Sequence, residues 1–250
     1  AYPTPLIERG SALLAQPGTH FVLKQQFFHK AVILIVEHSA ERDVGLVLNR
    51  PSALTTAELG CPDLASRLWY GGPCQSFRTP RSEDPPLLTC LHTQERLAGA
   101  STAVVPGVFR MNVTDAQALI QRGEAAAEDF FVFVGRCLWR AGQLQRELDR
   151  GDTWTMAAVD RRALIQDLRP SEPPDDSAER ASGDDGTAKW QQLYSAVRPD
   201  EDPRALLQEN AHADKVLRQW VQRYLYAAPG AAQAAAGLSV EADFRLAAAF

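Results

Sequence analysis

The chain alternates short apolar runs with turn residues, and helical stripes fall between several of the runs. Ala31 to Val36 is a continuous apolar run rich in Val and Ile, and Val44 to Leu48 is a second one after the polar stretch Ser39 to Asp43. Two such runs joined by so short a polar segment predict an antiparallel hairpin, and their unbroken apolarity places it inside a sheet rather than at an edge. Further strands are predicted at Leu68 to Tyr70, Leu87 to His92, Phe130 to Val134 and Thr153 to Val159, with one short strand before Gln26. Val104 to Met111 is broken by Pro106-Gly107 and reads as two short strands or one bent one. The strand total comes to about seven to nine.

Helical spacing appears where Leu144 and Leu148 stand four apart in Ala141 to Arg150, closed by Gly151. Thr114 is placed to cap a helix running to about Gln121, and Asp160 to cap one that carries Leu164, Ile165 and Leu168 on one face. Thr55 to Leu59 reads as a short helix. Towards the carboxy terminus, Trp190, Leu193 and Tyr194 recur at helical spacing. Asp202-Pro203 supplies a cap and a first-turn proline for a long helix to about Tyr226, with Leu206, Leu207, Leu217, Trp220, Val221, Tyr224 and Leu225 as its stripe.

Composition changes once along the chain. Pro170 to Gly186 is acidic, rich in Pro, Ser and Gly, and lacks large apolar residues, so it cannot offset its own ordering entropy and reads as a linker. This divides the chain into a core at 1–169, an acidic linker at 170–187, a helical extension at 188–226 and an Ala-rich tail at 227–250. The net charge of −5 argues against bulk electrostatic binding of a phosphate backbone, so direct nucleic-acid contact is not expected. No apolar run approaches the roughly 20 residues a membrane-spanning helix needs. The four cysteines lie far apart without a CxxC pair, which removes zinc-ribbon and thioredoxin-like readings.

The remaining chemistry is sparse. No two of the five histidines sit at i, i+4 on a predicted helix, so no metal site is expected, and neither a GxSxG elbow nor a GxGxxG loop is present. His38 and His92 each end a predicted strand, and if those ends converge they could form a small polar pocket with a cysteine such as Cys90. Asn49, before Arg50-Pro51, is either a turn former or a ligand group. Gly71-Gly72-Pro73 reads as a tight corner against Trp69 rather than an anion nest, because the proline removes an amide and no Lys-Ser or Lys-Thr follows. Glu147 is assigned to a salt bridge with Arg150 or a capping contact in preference to acid/base work.

Several blocks carry a family resemblance. Phe27 to His38 (FFHKAVILIVEH), Gly45 to Pro51 (GLVLNRP), Trp69 to Pro73 (WYGGP), Leu91-His92, and above all the aromatic strand, glycine and Gly142-Gln143-Leu144-x-x-Glu147-Leu148 before Trp154, resemble the YqgE/AlgH family in order and spacing. The likeness spans about Gly10 to Ala158, and departs from the family at Arg136 (an aromatic there) and Leu138 (a glycine there). It implies an α+β fold: a bent, partly closed mixed sheet surrounded by helices, here with a C-terminal helical extension. Family members are labelled transcriptional regulators, and the resemblance brings no catalytic residue, cofactor or operator. Trp190 to Tyr194 (WQQLY) resembles the extension of the green-plant branch, which implies a chloroplast stroma location after removal of a transit peptide, with mitochondrion or cytoplasm as alternatives.

The leading expectation is therefore a non-enzymatic interaction or scaffold protein in a larger plastid assembly. Its candidate partner contacts are Trp190, Tyr194, Leu217, Trp220 and Tyr224. The alternatives are a transcriptional regulator, for which the helix after Asp160 with Arg161 and Arg162 is the basic candidate, and a ligand-binding protein or enzyme with a pocket near His38, Asn49 and His92.

Overall fold

The computed structural model describes residues 1–18, 21, 25–64, 66–76, 86–166, 168, 185–201 and 210–226. Most of the acidic linker, the cap and first turns expected from Asp202-Pro203, and the Ala-rich tail lie outside these residues.

Twelve strands are found among the described residues, more than the pattern predicts, and they form two six-stranded sheets, neither of which closes into a barrel. The first sheet has the order β1 (Tyr2–Pro3), β12 (Trp154–Ala158), β2 (Ala12–Ala15), β3 (Val32–His38), β4 (Arg42–Val47) and β11 (Cys137–Arg140). Every pairing in it is antiparallel. The second runs β5 (Pro51–Thr55), β6 (Arg67–Tyr70), β10 (Phe130–Val134), β7 (Leu88–His92), β9 (Val108–Asn112) and β8 (Thr102–Val105), with β6 and β10 parallel. The fold class is α+β. The expected hairpin is β3–β4, carrying a bulge between Ile35 and Glu37, and Pro106-Gly107 separates β8 from β9.

Burial on both faces explains why β3 is apolar at every position from Val32 to Val36. Val32, Leu34 and Val36 face the second sheet, where Trp69, Leu91 and Phe133 join the same cluster. Ile33 and Ile35 face away, towards Phe27, Phe28, Trp139 and Trp154. The outer face of the second sheet, with Leu68, Phe130, Val132 and Val134, is covered by Ala116 and Leu119 of α1 (Val113–Gln121). That helix is capped by Asn112, whose Oδ1 accepts from the Asp115 amide at 2.8 Å, not by Thr114 as expected. The first turn opens two residues earlier because Asn112 already holds the extended backbone a cap requires.

The remaining α-helices among the described residues are α2 (Gln143–Arg150), α3 (Arg161–Ile165), α4 (Thr187–Val197) and α5 (Ala211–Tyr224). Asp160 caps α3 as predicted, accepting from the Ala163 amide at 3.0 Å, but the helix is only five residues long. Helix α4 packs Trp190, Leu193, Tyr194 and Val197 into the cluster between the sheets, and α5 packs Leu217 and Val221 onto the outer face of the first sheet.

The two sheets meet at the glycine corner. The Gly71 carbonyl accepts from the Val47 amide of the first sheet at 2.9 Å, while its own amide donates to Val134 of the second at 2.8 Å. A Cβ built on Gly72, at φ +151°, would lie 2.3 Å from the Arg136 carbonyl carbon, and one on Gly135, at φ +75°, 2.3 Å from the Gly72 oxygen. Only glycine allows these backbones to approach so closely, which confirms the tight-corner reading of the Gly-Gly-Pro motif.

Candidate functional site

The expected pocket does not assemble. His38 is half exposed at the end of β3 and pairs with Asp43 across the hairpin at 2.5 Å. His92 lies on the other sheet, buried, with Nε2 2.7 Å from Ser101 Oγ and its ring stacked on Phe109. Burial, opposed by Asp129, holds the His92 imidazole below its ordinary pKa, so it is a neutral core histidine at pH 7. Burial also pushes the Cys90 thiol up to about 12, far from the thiolate a nucleophile needs. Asn49 shares no hydrogen-bond partner with either histidine: its Oδ1 accepts from the Val32 amide at 2.9 Å, and its Nδ2 donates to the carbonyls of Lys30 and Gly186 at 2.9 and 2.7 Å. A side chain bonded on three sides holds the chain together rather than holding a ligand.

Glu147 also departs from expectation. Its Oε2 accepts from both flanking indoles, Trp139 Nε1 at 3.0 Å and Trp154 Nε1 at 2.8 Å, and Oε1 accepts from Gln143 at 3.0 Å. Trp139 on β11 and Trp154 on β12 reach the same face of the first sheet, and α2 lies across them with Leu144 buried beneath. The conspicuous block around Trp139 and Trp154 is thus a buried clamp, with no Arg150 pairing. Of the two family departures, Arg136 donates to Gln75 at 2.8 Å and Leu138 stands 41% exposed on the edge strand β11.

The concentration of buried charge lies elsewhere, where the extension meets the core. The 3-10 turn Gln26–Phe28 leads into His29 and Lys30, and Lys30 takes a positive φ of 52°. Both side chains are buried, and both meet one carboxylate, that of Asp214 on α5. His29 Nε2 is 2.8 Å from Oδ1, and Lys30 Nζ is 2.7 Å from Oδ1 and 2.9 Å from Oδ2. Burial works to raise the Asp214 carboxyl, but hydrogen bonds from His29 and Lys30 and the Lys30 charge outweigh it and hold the group below its ordinary value.

Beside this cluster, Arg50 is fully buried and donates to the carbonyls of Asn49 (2.9 Å), Asp185 (2.8 Å) and His29. The Lys30 ammonium also sits 5.5 Å from the Trp190 ring centre. Gly186, at φ +70°, passes so near the core that a Cβ there would lie 1.7 Å from the Asn49 oxygen. Sequence reasoning missed His29, Lys30, Arg50 and Asp214. The available signal was a His-Lys pair directly ahead of a fully apolar strand, where charge is unexpected.

Trp190, Tyr194 and Leu217, expected to face a partner, are buried in the chain's own core, and Trp190 donates to the Ala15 carbonyl at 2.9 Å. Trp190 and Tyr194 pack between the sheets beside Leu164 of α3, whereas Leu217 packs on the outer face of the first sheet. Trp220 and Tyr224 are half-buried, 5.7 Å apart on α5. Among the described residues no cluster of three or more His, Cys, Asp or Glu could hold a metal ion, and no helix is long and apolar enough to cross a membrane.

The geometry defines a two-sheet α+β protein joined by a glycine corner and clasped by a pair of C-terminal helices. Residues 13–184 match the AlgH-like family, DUF179, and the chain belongs to that family. It is similar to a UPF0301 protein of Delftia acidovorans, 31% identical over 188 residues covering 71% of this chain and 88% of that one. A UPF0301 protein of Nocardia farcinica is 32% identical over 163 residues, covering 62% and 69%. Among solved structures, the solution structure of the AlgH protein from Pseudomonas aeruginosa is similar with a TM-score of 0.50 and 26% identity, covering 68% of this chain and 86% of that one. The family match ends one residue before Asp185, so α4 and α5 lie beyond it.

Proposed function

We propose that the chain acts by non-catalytic protein recognition, as a scaffold or assembly-associated subunit of a larger complex, in a plastid as the Trp190 to Tyr194 resemblance implies. The observation that carries this reading is the outward part of α5. There Trp220 and Tyr224 are half-buried, and the exposed Arg223 has its guanidinium 5.4 Å from the Tyr224 ring centre. Trp, Tyr and Arg are the side chains most enriched among residues that dominate binding energy at protein interfaces. Trp220 is braced from beneath by Phe27 at 5.6 Å and Tyr70 at 5.2 Å, so while α5 is docked its rings are already ordered and little side-chain entropy opposes binding.

The test is native-size affinity purification from the source compartment with the full chain and with the Arg223→Ala/Tyr224→Ala double variant. A defined assembly recovered with the first and lost with the second supports the proposal. A full chain that runs alone overturns it. No observation favours the regulator reading: α3, its basic candidate, has five residues, and the Arg161 side chain is packed against Gly107 rather than projecting as a base reader.

A further inference from the structure

The charged junction separates by origin. His29, Lys30, Asn49 and Arg50 lie within the residues matched by the family, while the groups that satisfy them, Asp185, Gly186, Trp190 and Asp214, lie beyond it. Asp214 supplies the counter-charge to the Lys30 ammonium that is buried in the folded chain, and an ammonium left buried there without it would be strongly unfavourable. The Lys30 ammonium and the His29 imidazole also meet a single carboxylate, with both Asp214 oxygens engaged. Around them the wall is apolar. Phe27, Phe28 and Tyr70 share one cluster with Leu217 and Val221, three and seven positions after Asp214 on the same helix face.

No strand pairing ties α5 to the core. It is held by side-chain contacts, namely this ion cluster, its apolar stripe and the Arg218–Asp185 pair, and by bonds at its two ends, Gly18 to Asn210 Oδ1 at 2.9 Å, Ala53 to the Leu225 carbonyl at 2.8 Å and Arg67 to the Tyr226 hydroxyl at 2.9 Å. An element attached in this way opens as a unit at lower free energy than a central strand.

We infer that His29 and Lys30 form a carboxylate-recognition site in an apolar groove of the core. Asp214 fills it in cis, and an acidic amphipathic helix of a partner fills it when α5 is displaced. The helix it takes is defined by α5 itself: a carboxylate at position i with apolar residues at i+3 and i+7, the helix-in-groove mode of recognition. Helix α5 is then an internal occupant that sets how readily the partner enters. This site lies on the inner face of α5 and is separate from the Arg223–Tyr224 surface, so each can fail without the other.

The test uses the full chain and, in trans, a labelled synthetic helix with the sequence of residues 210–226, followed by fluorescence anisotropy. Asp214→Ala in the full chain removes the cis carboxylate and is expected to tighten capture of the probe by about tenfold or more over the unaltered chain. Adding Lys30→Gln to that variant returns capture to the weak level. A probe with Asn in place of its own aspartate is expected to bind the Asp214→Ala chain about tenfold less well. Where Asp214→Ala does not fold, Asp214→Asn carries the same comparison. Equal capture by the altered and unaltered chains, indifference to the probe's carboxylate, or loss of the fold in both variants overturns the inference. So does concentration-dependent dimerisation of the Asp214→Ala chain without probe capture, which would assign the groove to helix exchange between copies.

Discussion

The glycine corner and the extension junction are both close approaches enabled by glycine, yet they are built differently. At the corner, Gly71, Gly72 and Gly135 bring two sheets together through backbone hydrogen bonds at 2.8 to 3.0 Å, including the reciprocal pair between Cys74 and Arg136. At the junction, Gly186 lets the chain pass over Asn49, but the bonds beyond it come from side chains: Arg50 and Asn49 to carbonyls, Lys30 and His29 to a carboxylate. Backbone bonds are made by groups that every residue carries, so what cannot change at the corner is the glycines whose missing Cβ lets the strands approach. A side-chain junction depends on a few residues and can be switched by any of them. The contrast shows where this molecule is rigid and where it is adjustable.

The comparison can be broken most forcefully at the corner. Gly72→Ala would drive a methyl into the backbone at Arg136, and a loss of about 4 kcal/mol is expected, seen as a collapse of the urea midpoint for the whole chain. Gly186→Ala should cost less in global stability, about 2 kcal/mol, because the extension can lift away while the sheets persist. Hydrogen exchange would then show fast amides across α4 and α5 with β3 and β10 still protected. If β3 loses protection equally, the two regions are one cooperative unit and the contrast fails.

A smaller effect is expected at Glu147→Gln, about 1 kcal/mol, because the neutral amide still offers an oxygen to an indole but loses the charge-assisted bonds. Altered tryptophan fluorescence from Trp139 and Trp154 would accompany it, and unchanged emission would show that the clamp does not hold both rings. Smallest is a pH effect. Because the fold lowers the His92 pKa from its ordinary 6.5, stability is complete above that value and declines as pH falls below it, when the unfolded chain takes up the proton more readily. The Asp214 carboxyl, lowered from 3.8, adds a second loss on further acidification, as the unfolded chain protonates first. His92→Gln should flatten the first decline and leave the second.

Much of the fold was legible because its signals are local. The Val-Ile runs of β3 and β4, the Leu144–Leu148 spacing of α2, the Asp160 cap and the proline–glycine break between β8 and β9 each report on a few neighbouring residues, and each is found. Much less of the site was legible. His38, Asn49 and His92 were chosen for residue type at strand ends, but position along a strand does not say which sheet the strand joins, and the histidines belong to different sheets. Trp190 and Tyr194 were read as surface anchors because an amphipathic helix displays the same stripe whether it meets a partner or its own core.

By itself the sequence determined where the chain is apolar enough to form strands, where glycine must break them, and which family the central blocks resemble, since these depend on short-range sterics and on burial of contiguous residues. Only the tertiary structure decided that the strands divide into two sheets, that Glu147 serves two indoles, and that Lys30 meets a carboxylate 184 residues away. Contacts of that kind arise when packing brings distant charges into a shared low-dielectric site, where the partner is selected by geometry and the cost of leaving a charge unpaired. Nothing in the local pattern around either residue encodes that choice.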